Sequence, residues 1–263
     1  MHPTHPEDLE TLPLQHTARP VAALARDYPH GHRIARHRHR RAQLLHSLSG
    51  VVTVASDAGT WVVPPDRGVW LPAGMSHAVR ITGAVRMRTV FVEPGARPDL
   101  RADCVVVDVS PLLRALLDAA TQLPVDYKLG GREERIMELI LDEIRALPIL
   151  ALDIRFPADP ALAALCRRIL KRPETPVSLA GGAAWLDIST RSLSRLFQHE
   201  TGMSFAQWVR RARLLRSLDA LAAGTPIVDV ALSLGYDSPS AFSAMFRRTL
   251  GLSPSQYFGH DRS

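Results

Sequence analysis

The chain has 263 residues, 46% of them apolar, with a net charge of +6 and a sequence pI near 10.0. That composition supports a packed core in one large or two ordinary domains and excludes a disordered chain. The longest apolar runs, VVVDV around residue 107 and LPILAL around residue 150, fall far short of the ~20 residues of a membrane span. Cys104 and Cys166 lie outside any CxxC spacing, which excludes a disulfide framework and a zinc finger.

Residues 1–19 read as a flexible lead-in without the charged-then-apolar order of a secretory signal, so a cytoplasmic protein without membrane contact is expected. Next comes GHRIARHRHRRAQLLHSLSG, residues 31–50, dense in histidine and arginine. On a strand, alternation sends His37 and His39 to one face and Arg36, Arg38 and Arg40 to the other. Arg33 and Arg41 are expected to join the other arginines on a solvated outer face, with His30, His32 and His46 as surface or structural groups. From Val51 to Pro94, β-branched runs alternate with Gly, Pro and Asp turns, the pattern of a compact antiparallel sandwich or barrel with Trp61 and Trp70 in its core.

At Ser110 the pattern turns helical. Ser110 is an N-cap with Pro111 at the first helical position. REERIMELILDEIRAL then carries an apolar stripe through Ile136, Leu139, Ile140 and Ile144. DIRFPADP, residues 153–160, reads as a linker. Beyond it the charge changes. Residues 1–156 carry 19 basic against 18 acidic side chains, whereas residues 157–263 carry 13 against 8. A basic excess confined to the C-terminal part points to a polyanionic partner for that part.

The C-terminal segment repeats itself at an offset of 49 residues: Phe197/Phe246, Gly202/Gly251, Ser204/Ser253, Gln207/Gln256 and Trp208/Tyr257 coincide. Each copy follows a short apolar helix, giving helix, tight turn, helix twice. Between the copies a helix from Ser204 to Gly224 carries Arg210, Arg211, Arg213 and Arg216, and forms a rod of roughly 28 Å.

SLSRLFQHETGMSF in the first copy and DVALSLGYDSPSAFSAMFRRTLGLSPSQY in the second resemble the tandem helix-turn-helix domain of the AraC/XylS family of transcription regulators. The resemblance implies that the second helix of each copy reads bases through Arg191, Ser192, Ser194 and Arg195 in the first copy. In the second, the equivalent residues are Pro239, Ser240, Ser243 and Ala244, with Arg247 close by. Leu193, Leu196, Phe197, Phe242 and Phe246 fall on the opposite, core-facing stripe. Arg210, Arg211, Arg247 and Arg248 are expected on phosphates. Gly181-Gly182 departs from the family by placing two poor helix formers in the first helix. Asp187 stands where a turn glycine is usual and is among the few residues that accept a left-handed backbone.

The spacing Gly31-x5-His37-x-His39-x3-Gln43-x6-Gly50, followed by Pro72-x-Gly74-x2-His77, resembles the two motifs of the cupin barrel, with Gln43 in place of a Glu. The resemblance implies a cupin-like sensor barrel in which His37, His39, Gln43 and His77 would hold a divalent Zn, Ni, Cu or Fe ion. Polar lining of an effector pocket is the alternative use.

The expected fold class is α+β. Residues 1–19 form the lead-in, 20–109 a cupin-like antiparallel β-barrel, 110–152 a helical linker able to dimerise, and 153–160 a second linker. Residues 161–263 form an all-α tandem helix-turn-helix domain. The expected function is sequence-specific regulation of transcription, without catalysis. The partners are promoter DNA, RNA polymerase, a small-molecule or metal effector and a second copy of the chain. The competing reading is a metal-dependent cupin enzyme with a helical appendage.

Overall fold

A computed structural model describes residues 13–171 and 177–258. The chain divides into two compact units, Met1–Val54 with Val63–Ala151, and Ala55–Val62 with Leu152–Ser263. The strands are β1 (Val21–Tyr28), β2 (Arg33–His37), β3 (Ala42–Ser47), β4 (Val51–Ala55), β5 (Gly59–Val63) and β6 (Arg67–Leu71). They continue with β7 (His77–Thr82), β8 (Val85–Val92), β9 (Val105–Asp108), β10 (Ile149–Leu150) and β11 (Asp153–Arg155). Helices α1 (Pro111–Ala120) and α2 (Arg132–Ala146) complete the first unit. The second contains α3 (Pro160–Lys171), α4 (Leu179–Trp185), α5 (Thr190–Thr201), α6 (Phe205–Ala222), α7 (Ile227–Ser233), α8 (Pro239–Leu250) and α9 (Pro254–Phe258). Among the described residues no helix is long and apolar enough to cross a membrane.

In the first unit, six antiparallel strands run in the order β1-β8-β3-β6-β9-β10, while β4, β7 and β2 are neighbours in a second sheet. The α+β class holds, but the barrel does not: β1 and β10 end the first sheet as separate edges, so the layers form an open sandwich. Leu44, Val90 and Val105 on one face of the six-stranded sheet share a core with Leu113 and Leu117 of α1 and Ile140 and Ile144 of α2. The Ser110 N-cap is observed, its hydroxyl accepting from the Leu113 amide at 3.0 Å. The expected stripe on α2 is rotated: Met137 and Leu141 are buried with Ile136, Ile140 and Ile144, and Leu139 is 39% exposed.

Residues 1–12 of the expected lead-in lie outside the described residues. Of the rest, Leu14 is buried with Ala22 and Phe91, and the Gln15 side chain accepts the Arg41 amide at 3.1 Å.

In the second unit the expected linker opens with a strand. β11 pairs antiparallel with β5, Arg155 facing Gly59 and Asp153 facing Trp61. The ladder extends through Phe156 N–H to the Ala58 carbonyl at 2.9 Å and Val62 N–H to the Leu152 carbonyl at 2.9 Å. A β-carbon at Gly59 would lie 2.3 Å from the Ile154 carbonyl oxygen, so only glycine permits this approach. The indole of Trp208 on α6 donates to the Arg155 carbonyl at 3.1 Å, and Arg211 on the same helix faces Asp153 at 3.9 Å.

The repeat is a repeat of capping and ring packing. Ser204 and Gln207 form a reciprocal capping box at the start of α6. Ser253 and Gln256 do the same before α9, with the Ser253 amide 3.1 Å from Gln256 Oε1 and the Gln256 amide 3.3 Å from Ser253 Oγ. Phe197 meets Trp208 edge-on at 5.9 Å between centroids, and Phe246 meets Tyr257 edge-on at 5.7 Å. Gly202 and Gly251 end α5 and α8 in the left-handed region, with φ of 70° and 83°. Asp187, as its position predicts, is left-handed at φ 54° in the first turn, where the second turn has Gly235 at φ 76°. Gly182 has a packing reason: an added β-carbon would meet Leu193, Phe205 and Leu165 at 3.2 to 3.4 Å.

His46 on β3 is fully buried, and neither ring nitrogen has a hydrogen-bond partner. Burial, with Arg114 of α1, Arg88 of β8 and Arg67 of β6 around it and only Asp118 opposing them, holds its pKa down at about 4. Above the unfolded value near 6.5 neither state is protonated. As pH falls toward 4 the unfolded chain takes up a proton that the fold excludes, so stability is lost in that window.

Two predictions follow from this packing. Gly59→Ala should destabilise the chain by roughly 1 to 3 kcal/mol, read as a lower denaturation midpoint; unchanged stability would refute the tight β5–β11 approach. His46→Leu should flatten the stability loss between pH 6.5 and 4 by up to about 3 kcal/mol. Urea titrations at stepped pH would measure it, and an unaltered slope would contradict the assignment.

Candidate functional site

Two groups of side chains stand out, one in each unit. In the first unit β2 ends at His37, which faces His77 at the start of β7 across a register shift between Ile34 and His37. The chain leaves the strand before His39, yet the division expected from alternation is kept: Arg36, Arg38 and Arg40 are exposed, and ligand atoms of His37, His39 and His77 all lie within 4.8 Å of one another. Ring centroids are 4.4 Å apart for His37 and His77, 4.7 Å for His37 and His39, and 5.6 Å for His39 and His77.

The tautomers are set from behind. His37 Nδ1 is 2.8 Å from the Ala35 carbonyl and His77 Nδ1 is 2.9 Å from the Met75 carbonyl. Each Nδ1 therefore carries the proton and leaves Nε2 as the basic nitrogen, the usual outer-shell arrangement of a histidine ligand. His37 Nε2 lies 3.1 Å from His39 Nε2. Two imidazoles bound tetrahedrally at 2.0–2.1 Å hold their nitrogens about 3.3 Å apart, so the spacing of His37 and His39 suits a shared divalent ion. Burial, reinforced by the neighbouring rings, pushes His39 down to about 3 and His77 to about 4. Both are neutral at physiological pH, the protonation state a ligand needs.

Gln43 is buried on β3 opposite Leu71 and Phe91, and its Oε1 has no hydrogen-bond partner. Phe91 in turn stands edge-on to His39, with centroids 5.1 Å apart.

In the second unit, Arg191, Ser194 and Arg195 are exposed along α5. Ser192 is half-buried because its hydroxyl pairs with the Ser189 N-cap at 2.9 Å. Arg191 and Arg195 are four residues apart and share a helix face. Their guanidinium forks suit the paired acceptors of a guanine edge. On α8, Pro239, Ser240, Ser243, Ala244 and Arg247 line one surface groove of about 420 Å³. Sequence position alone groups the same five residues. Leu193, Phe197, Phe242 and Phe246 are buried as expected, but Leu196 is 39% exposed and does not belong to the core stripe. α6, with 18 residues, forms a rod of roughly 27 Å between the two helix pairs.

The outer arginine face divides. Arg33, Arg36, Arg38 and Arg40 are exposed, whereas Arg41 is 1% exposed. Arg41 immediately precedes β3, whose six residues are all buried, and that doubly buried strand is the signal that the chain is already inside at this point.

Residues 19–143 match the family described as the AraC-like ligand binding domain, and residues 183–260 match a helix-turn-helix domain. The HTH-type transcriptional regulator NimR of Escherichia coli (strain K12) is 31% identical over 221 residues, covering 84% of this chain and 81% of that protein. The HTH-type transcriptional activator RhaR of Pectobacterium atrosepticum is 36% identical over 70 residues, covering 26% of this chain and 25% of that protein. Among solved structures, the DNA-binding domain of the global transcriptional factor AdpA in complex with a target DNA is 30% identical, with a TM-score of 0.37. That match covers 40% of this chain and 95% of that one.

Proposed function

This chain belongs to the AraC family of transcription regulators, and from that premise we propose how it reads DNA and what its first unit senses. It has a helix-turn-helix DNA-binding domain and a ligand-binding domain. In this reading α5 and α8 enter the major groove. Arg191 and Arg195 donate to guanine O6 and N7. Ser192 and Ser194 make shorter contacts beside them. Pro239, Ser240, Ser243 and Ala244 present small side chains to the second site, where an apolar contact such as a thymine methyl suits Ala244. Arg247 flanks that surface, and Arg210, Arg211 and Arg248 bear on phosphates. The grooved face of α8 and the exposed guanidinium pair of α5 support this assignment.

The observation that carries a metal-responsive sensor is the trio His37, His39 and His77, with two tautomers fixed by backbone carbonyls. Gln43, lying beside the shared neighbour Phe91, would supply a neutral oxygen in place of a carboxylate. A bound Zn, Ni, Cu or Fe ion would act here as an effector or as an anchor for an organic ligand. The named relatives are regulators of transcription, which supports a binding protein rather than an enzyme.

Arg195→Ala should weaken binding to an operator mapped by footprinting of the wild-type protein by ~1 to 3 kcal/mol and relax specificity at one base pair. Fluorescence anisotropy with the natural and single-base-changed sites reads both, and an unchanged profile would sink the assignment. Protein purified without a histidine tag should carry about one divalent metal ion per chain by elemental analysis. His77→Ala should lose it. Wild-type protein without bound metal after exposure to each candidate ion would leave the trio as polar pocket lining.

A further inference from the structure

Arg41 is buried, and its hydrogen bonding is incomplete. Nη2 donates to the Thr17 carbonyl at 2.6 Å and lies 3.2 Å from Glu93 Oε2. Nε and Nη1 are buried with no partner. Gln15, held by the bond from the Arg41 amide to its Oε1, has its Nε2 buried with no partner as well. Every one of these three unfilled atoms is a donor. A guanidinium does not lose its proton in a protein, so the group remains charged in its buried place.

The charge is also incomplete. Glu93 is the carboxylate beside Arg41, but Arg40 already grips it with both terminal nitrogens, Nη1 at 2.7 Å from Oε1 and Nη2 on Oε2. Two guanidinium groups, the half-exposed Arg40 and the buried Arg41, thus share one carboxylate, so the cluster carries a net positive charge. Tyr127, 1% exposed, lies near enough to act electrostatically on Arg41, and burial raises its phenol. A phenol held neutral there adds no negative charge.

From these donors and this charge we infer that Arg41 and Gln15 form an oxyanion site that takes the carboxylate of a small organic acid. The polarity of the unfilled atoms decides the class. A cation or a donor-only ligand would face three donors and a guanidinium. Water could accept their hydrogen bonds but would leave the net positive charge of the cluster as it stands. A monoanion supplies both the acceptors and the missing charge, through charge-assisted hydrogen bonds. The site joins the Thr17 segment to the start of β3 and to Glu93, so an occupant would tie these pieces of the first unit together. This inference rests on the ligand-binding reading of that unit, and it adds the chemical class of the ligand independently of the histidine trio.

The test uses the full chain at constant ionic strength with acetate, benzoate and inorganic phosphate, and with benzamide as the neutral counterpart of benzoate. Thermal denaturation and titration calorimetry are the readouts. At least one carboxylate should raise the Tm above benzamide, and Arg41→Met should weaken its binding by about tenfold or more. Arg38→Met, which removes an exposed charge of the same stretch, should leave it unchanged. If Arg41→Met does not fold, Gln15→Leu serves instead, with a smaller loss of the carboxylate response. Failure of both acetate and benzoate to exceed benzamide overturns the inference. So does a carboxylate response that survives in Arg41→Met, which would be an adventitious ion only, or a response to phosphate alone. Operator affinity, measured without added acid, reports separately on the DNA-binding reading: its loss would fault that reading and leave the anion result intact.

Discussion

The indole of Trp208 is the joint on which the C-terminal unit turns. It is fully buried on α6, stands edge-on to Phe197 of α5, and donates its one N–H to the carbonyl of Arg155. Apolar packing alone would fix the distance between α5 and α6 but would leave rotation loose. The directional hydrogen bond to β11 removes that freedom, because a buried indole N–H left without an acceptor is costly. The orientation of α5, and with it the direction in which Arg191 and Arg195 point, therefore depends on a bond to the strand β11, distant in sequence. Gly59 is part of the same joint, since its missing β-carbon lets β5 and β11 approach closely enough to present the Arg155 carbonyl.

What the sequence made legible follows from how local each cause is. The capping pairs Ser204/Gln207 and Ser253/Gln256, the left-handed Gly202 and Gly251, and the left-handed Asp187 are all decided within a few residues. The 49-residue repeat could therefore be read directly as geometry. Leu196 and Leu139 were misplaced because a helical period fixes a stripe only to within about one residue's rotation, and the neighbouring helices choose the rest. The β5–β11 pairing left no local trace: a three-residue strand between two prolines-and-loops resembles a linker until its partner, almost a hundred residues earlier, is known.

The histidine trio is an instructive mixed case. The motif spacing anticipates the cluster of His37, His39 and His77, and Gln43 is buried on β3 beside Phe91, which stands edge-on to His39. β2 stops at His37, and His39, in the irregular stretch that follows, still joins the cluster while Arg36, Arg38 and Arg40 stay exposed. The same irregular stretch carries Arg40 outward to Glu93 and buries Arg41, two residues that alternation would have treated by parity alone. A run of mixed charge such as RHRHRR cannot reveal this division. The acceptors that separate its members are backbone carbonyls and a carboxylate from elsewhere in the chain.

The first unit also holds an unusual set of buried polar atoms. Arg41 Nε and Nη1, Gln15 Nε2, Gln43 Oε1, both His46 nitrogens and Arg114 Nε are buried with no hydrogen-bond partner. In a unit whose only task was to be stable, apolar side chains of similar volume would remove these penalties. Retaining donors and acceptors without partners makes physical sense where a partner arrives from solution, because the binding energy then includes the relief of a cost already present in the empty fold. A ligand that satisfies them stabilises the folded unit in proportion to RT ln(1 + [L]/Kd), so occupancy and stability rise together. That linkage can carry a signal without a large rearrangement: ordering the Thr17 segment, the start of β3 and Glu93 around one occupant changes which local openings remain accessible.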